Sequence, residues 1–221
     1  ARPAGTQHYR QHACRGIHRL EIDQRLAHRF ARVSEGAVLF EKEIQRTTGP
    51  ASAAPLLAAT VLLDNEADQP LTPASMSKLM TLYMAFEAVR RGKSDGGLDL
   101  NEELPVSEHA QSYGGSSMFL RSGETVSVED LLRGIIVLSG NDACVVIAEA
   151  LSPDGTEAGF ARLMTQRAQQ LGMTSSTFMN SSGWPAAGHR MSMRDLVLLA
   201  NRLISDFPQE YQMFAEREFI F

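Results

Sequence analysis

Pro73-Ala74-Ser75-Met76-Ser77-Lys78-Leu79-Met80-Thr81 frames the reading of the whole chain. Pro70 and Pro73 break the backbone just before it, because proline fixes φ and pushes the preceding residue towards an extended conformation. Beyond Pro73, Met76, Leu79, Leu82, Tyr83, Phe86 and Val89 recur at helical spacing until Gly92 stops the run. The spacing predicts a helix over 75–91. Ser75 and Lys78 stand three residues apart, so they share one face of it. A hydroxyl in the first turn then lies within reach of an amine one turn on. Free serine is a poor nucleophile and needs an adjacent base. Lysine, with an ordinary pKa of about 10.4, can be that base only where burial or neighbouring positive charge weakens its hold on the proton. The pair alone is weak as a signal. A shuffled chain with 19 Ser and 3 Lys gives about 0.3 such pairs by chance.

Working towards the N-terminus, Leu56 to Leu63 is a short apolar run that reads as a strand, ended by Asp64-Asn65. Residues 1–50 differ from the rest. They hold nine Lys/Arg against five Asp/Glu, and four of the six histidines, while residues 51–221 hold 12 Lys/Arg against 21 Asp/Glu. Apolar periodicity is weak until Val38-Leu39-Phe40. The domain plan is therefore an Arg/His-rich extension at 1–50, with disorder one reading of it, and a folded unit at 51–221. The basic arm has no aromatic interleaving and no nucleic-acid motif, and the remainder is acidic, which argues against nucleic acid as a partner. Cys14 and Cys144 form neither a metal pattern nor a disulfide framework. Cys144 reads as a small buried hydrophobe. No apolar window approaches the ~18 residues of a membrane helix.

Towards the C-terminus, residues 92–101 are a loop and 102–126 hold short segments around Gly114-Gly115-Ser116-Ser117. Ser127 and Asp130 form a capping box for a helix to Leu138. Ser139-Gly140-Asn141 then turns the chain into a second apolar helix over 142–151. Residues 156–171 read as an amphipathic helix and 173–188 as irregular. Ser192 and Asp195 cap a last helix to about Ile204, and Phe219-Ile220-Phe221 reads as the start of a strand. Ser-x-Asn is also weak alone, with about 0.4 expected by chance. Its place between two apolar helices makes it a rigid platform for a second hydroxyl and an amide.

Ser-x-x-Lys followed by Ser-x-Asn is the order found in penicillin-binding proteins and serine β-lactamases. The stretch 73–81 resembles the low-molecular-mass serine D-Ala-D-Ala carboxypeptidases. So do Gly114-Gly115-Ser116-Ser117-Met118, Val128 to Leu151 with Leu138-Ser139-Gly140-Asn141-Asp142-Ala143, Leu171-Gly172-Met173, Phe178-Met179-Asn180, and His189 with Ser192 and Asp195. The resemblance covers about residues 60–221. It implies a mixed α/β (α+β) fold: an antiparallel sheet packed with helices, and a mainly helical subdomain closing one side of a cleft. It implies that Ser75 forms an acyl-enzyme, Lys78 takes its proton, Ser139 relays a proton to the leaving D-alanine nitrogen and Asn141 binds the substrate backbone. The Ser75 N–H would be one oxyanion donor. His189 is given a structural or cleft-lining place, not that of a base. The implied partners are peptidoglycan stem peptides and β-lactams, with no metal and no organic cofactor. The implied location is the periplasm or the outer face of the bacterial cytoplasmic membrane.

The family's third motif, a Lys-Thr/Ser-Gly strand, has no counterpart, since no Lys follows Lys93. The first strand is only partly recognisable, and the C-terminal β-rich domain and amphipathic membrane anchor are not seen. The expectation is a catalytic domain with an incomplete sheet, cut before that motif and weakly active or inactive. A β-lactamase is the enzyme alternative, disfavoured because no acid is identified to activate a deacylating water. A non-catalytic remnant is the alternative from another class.

Overall fold

The computed structural model describes residues 66–221, together with three short strands before them: β1 (His8–Arg10), β2 (Leu39–Lys42) and β3 (Ala59–Leu63). The order continues with α1 (Lys78–Arg91), β4 (Glu103–Pro105), α2 (Glu108–Ser112), β5 (Thr125–Ser127), α3 (Val128–Leu138), α4 (Asn141–Leu151), α5 (Glu157–Gln170), α6 (Met193–Asp206) and β6 (Glu218–Ile220). The described strands form three antiparallel pairs: β1 with β6, β2 with β3 and β4 with β5. The strand read over 56–63 is β3, and the terminal apolar triplet contributes β6. Of the extension at 1–50, only β1 and β2 are described. Cys14 and the Asp64-Asn65 turn lie outside the described residues.

Helix starts follow their local chemistry. Ser127 Oγ accepts the Asp130 N–H at 3.1 Å and donates to the Asp130 carboxylate at 2.8 Å. Ser192 Oγ accepts the Asp195 N–H at 3.1 Å, and Thr156 caps α5 through the Gly159 N–H at 2.9 Å. Each cap satisfies a donor that the first turn would otherwise leave unpaired. The helix that follows Ser75 departs from the spacing reading in its first turn. Ala74–Ser77 is a 3-10 turn, and the α-helix begins at Lys78. Ala74 has φ 48°, so the chain enters from a left-handed residue, and Ser77 Oγ bonds back to Ala74 O at 2.9 Å. A tighter i→i+3 turn is the usual way to accommodate such an entry.

The helices share one core. α4 is central: its first eight residues, Asn141 to Ala148, are all buried. α1 crosses it with Met80, Leu82, Ala85 and Phe86 inward, and α3, α5 and α6 add Leu131, Leu132, Phe160, Met164, Leu199 and Leu203. Phe207 closes the end of the core, edge-on to Tyr83 at 5.0 Å between ring centroids. Gly134 lets α3 approach the 118 segment, since a Cβ there would overlap the Met118 sulfur. Cys144 is fully buried, and burial pushes its thiol up to about 12, so it remains protonated. Among the described residues no helix is long and apolar enough to cross a membrane.

Phe86 fills the middle of this core with no exposed surface. Phe86→Ala removes buried apolar volume that rigid helices cannot close, so a loss of about 3–5 kcal/mol is expected in urea unfolding. A loss under about 1 kcal/mol would mean that the core collapses around the cavity.

Candidate active site

Ser75 lies on the exposed side of the 3-10 turn and Lys78 opens α1 beneath it. Lys78 Nζ donates to Ser75 Oγ at 3.0 Å. It also donates to Ser182 O at 2.8 Å, across 104 residues of sequence. Lys78 is 4% exposed. Burial holds its pKa below the ordinary lysine value, with Cys144 opposing. Because Cys144 stays a thiol, it supplies little counter-charge. Desolvation of the charged form is the reason the amine releases its proton more readily than in water.

Residues 180–184 form the wall that supplies the second bond. Asn180 Oδ1 accepts the Gly183 N–H at 2.8 Å, and Asn180 Nδ2 donates to Trp184 O at 2.8 Å. Thr81 Oγ1, one turn along α1 from Lys78, donates to Ser181 O at 2.7 Å. Gly183 has φ 82° and faces Ala74 directly, and a Cβ at this position would overlap the Ala74 carbonyl oxygen and Ser77 Oγ. Only glycine allows this approach without distortion.

The opposite wall is built at the α3–α4 turn. Ser139 ends α3 in the left-handed region, at φ 58° and ψ 36°. Asn141 is 6% exposed, its N–H donates to Ser116 O at 2.8 Å, and its side-chain Nδ2 donates to Gly114 O at 2.8 Å. The next residue, Asp142, is also buried. Its carboxylate accepts the Ser117 hydroxyl at 2.6 Å, the Met118 N–H at 3.0 Å and the Leu120 N–H at 3.1 Å. One carboxylate thus fixes the loop that receives Asn141. A Cβ on Gly115 would stand 3.1 Å from Asn141 Nδ2 and 3.3 Å from the Trp184 ring, so this glycine lies between the two walls. Trp184 is 45% exposed and meets Tyr113 edge-on.

Of the four residues singled out in the sequence, the structure joins Ser75 to Lys78 by a hydrogen bond and seats Asn141 on the Gly114 loop. Ser139 is not bonded to Lys78, whose bonds go to Ser75 and Ser182. The sequence reading did not find Ser182 or Thr81 as partners of this site, nor the anchoring part of Asp142. A backbone carbonyl has no side-chain signature. Asp142 did carry one: an acid in the first turn of an otherwise apolar helix, next to the Ser-x-Asn turn. His189 is 1% exposed, its Nδ1 accepts the Met179 N–H at 3.3 Å, and its ring packs edge-on to Phe178. It is a packed residue held by its neighbours. Among the described residues no cluster of three or more His, Cys, Asp or Glu could hold a metal ion.

A sequence model of D-alanyl-D-alanine carboxypeptidases matches residues 57–221. The chain belongs to this family. It is 40% identical over 167 residues to the D-alanyl-D-alanine carboxypeptidase DacC of Escherichia coli, covering 73% of this chain and 40% of that one. The solved DacD carboxypeptidase of Francisella tularensis superposes with a TM-score of 0.68 at 32% identity, over 80% of this chain and 43% of that one. Penicillin-binding protein D2 of Listeria monocytogenes in its ampicillin-bound form gives a TM-score of 0.60 at 30% identity, over 71% of this chain and 61% of that one. The family fold is therefore the mixed α/β fold of the penicillin-binding proteins. The chain spans about 40% of the length of a curated relative such as DacC.

Burial holds His189 below its ordinary 6.5. The unfolded chain therefore takes up that proton more readily than the folded one. The stability His189 allows is complete above about pH 6.5 and is lost as pH falls through the lower folded value. His189→Gln should flatten the dependence of the urea midpoint on pH between about 7 and 5. An unchanged slope in that window would show that another group governs it.

Proposed function

We propose that the protein is a serine D-Ala-D-Ala carboxypeptidase that removes the terminal D-alanine of peptidoglycan stem peptides, with Ser75 as nucleophile and Lys78 as its base. The observation that carries this reading is the buried Lys78 amine bonded to the Ser75 hydroxyl at 3.0 Å. Neutral Lys78 accepts the Ser75 proton as Oγ attacks the carbonyl carbon of the penultimate D-alanine. The C=O becomes an oxyanion facing the Ser75 N–H. Collapse breaks the C–N bond, and the departing nitrogen takes up the proton that Lys78 received; Ser139, which is not bonded to Lys78 here, would have to turn its hydroxyl between the two to relay it. This leaves an ester on Ser75 and free D-alanine. Water, deprotonated by Lys78, then hydrolyses the ester and restores the hydroxyl. Asn141 spends one Nδ2–H on Gly114 O, which leaves its second Nδ2–H and its Oδ1 to meet a substrate backbone C=O and N–H.

β-Lactams enter the same reading as acylating agents whose ring nitrogen stays tethered to the acyl group. The ampicillin-bound Listeria relative supports this partner by likeness of fold and sequence. Its family makes the bacterial cell wall, outside the cytoplasmic membrane, the place of action. Residues 51–221 are assigned to the catalytic unit and 1–50 to an extension from it.

Treating the protein with benzylpenicillin and digesting it should place the adduct on the peptide containing Ser75, and Ser75→Ala should abolish it. Lys78→Arg keeps the charge but cannot deprotonate, so acylation should fall at least ~100-fold. An adduct on another peptide would overturn the nucleophile, and near-normal acylation of Lys78→Arg would overturn the base.

A further inference from the structure

Glu157 opens α5 and is 6% exposed, yet it touches neither Ser75 nor Lys78. Its two carboxylate oxygens face two different segments. Oε1 accepts the Ser181 N–H at 2.9 Å and the Ser181 hydroxyl at 2.6 Å. Oε2 accepts the Tyr113 hydroxyl at 2.7 Å and bonds His109 Nε2 at 2.9 Å. Burial, the largest influence, would raise its pKa, but the bonds from Ser181, Tyr113 and His109 together hold it below the ordinary value. It is a buried carboxylate whose bonds go to the Ser181 wall, to Tyr113 at the start of the other wall, and to His109 of α2 beside it.

Those walls are the ones that shape the site. Ser181 precedes Ser182, whose carbonyl holds the Lys78 amine, and its own carbonyl takes the Thr81 hydroxyl. Tyr113 precedes Gly114, whose carbonyl holds the Asn141 side chain, and its ring meets Trp184 on the other wall. Segments 113–114 and 181–184 have no ladder to align them. Beyond the Tyr113–Trp184 ring contact, the carboxylate of Glu157 links them, accepting Ser181 at one oxygen and Tyr113 at the other.

We propose that Glu157 is a positioning residue: its carboxylate clamps the Tyr113 and Ser181 walls together and fixes the Ser182 carbonyl that holds the Lys78 amine. This rests on the reading of Lys78 as the base. The clamp depends on reach and acceptor geometry, so it makes a ranking that a purely electrostatic role would reverse. Glu157→Gln keeps the length, offers its carbonyl to Ser181, and turns its NH₂ towards a Tyr113 hydroxyl that can also accept. Glu157→Asp keeps the charge but is one methylene too short to reach both walls.

Two measurements on the full chain test it. One is the rate at which acetic anhydride modifies Lys78, followed by peptide mass spectrometry. The other is penicillin acylation, resolved into the binding constant and the first-order acylation rate. For Glu157→Asp, Lys78 should become about tenfold more reactive, the scale of one lost hydrogen bond. Its first-order acylation rate should fall about 100-fold, the cost of ångström-scale misplacement, with penicillin binding little changed. Glu157→Gln should stay within a few-fold of the parent in both. Parental values for Glu157→Asp, or a larger loss in Glu157→Gln than in Glu157→Asp, would overturn the clamp. A parent that takes no penicillin would refute the reading of Ser75, while the Lys78 modification rates would still decide the clamp. Where Glu157→Asp fails to fold by circular dichroism, Ser181→Ala decides instead. It removes only the hydroxyl bond, and an unchanged Lys78 reactivity there would equally overturn the proposal.

Discussion

A lysine amine withdrawn from water costs several kcal/mol if it stays charged and unpaired. In this protein the cost is met by two acceptors, the Ser75 hydroxyl and the Ser182 carbonyl, in a setting that disfavours the ammonium form. Each neighbouring feature serves that arrangement. The 3-10 turn at 74–77 brings Ser75 over Lys78, and α4 closes the apolar side with Cys144. Gly183 lets the 180–184 segment come close enough for its carbonyl to reach the amine. Without the α4 core behind Lys78, water would enter and the amine would return to its ordinary affinity for protons.

The helices were legible in the sequence because their signals are local. Ser127 with Asp130 and Ser192 with Asp195 announced α3 and α6 within a residue of their observed starts, and Gly92 marked the end of α1. The Ser75–Lys78 juxtaposition followed from helical spacing, since i and i+3 meet both in an α-turn and in the 3-10 turn that is present. The pair β4–β5 was not legible: three residues a side leave no room for an alternating pattern. Ser182 was beyond reach for another reason. Its contribution is a main-chain oxygen, which every residue carries, and its distance from Lys78 along the chain leaves no spacing to read.

Asp142 and Glu157 reveal a device used twice. Each is an acid in the first turn of a helix, where unpaired backbone N–H groups favour negative charge. Each turns its carboxylate outward to a neighbouring loop and accepts several donors from it. Loops that carry side chains for chemistry lack the regular bonds that stiffen helices and strands. A buried carboxylate with several partners supplies that stiffness from a rigid element. The carboxylates explain how these loops hold their shape.

Under the proposed mechanism, Ser139 carries a tension between making a fold and making a reaction. At φ 58° it occupies the left-handed helix end where glycine is at home and a side chain costs about 1–2 kcal/mol. Glycine would relieve the backbone and remove the hydroxyl in one step. Directed evolution for heat resistance alone would therefore drift towards Ser139→Gly, and selection for turnover would drift back.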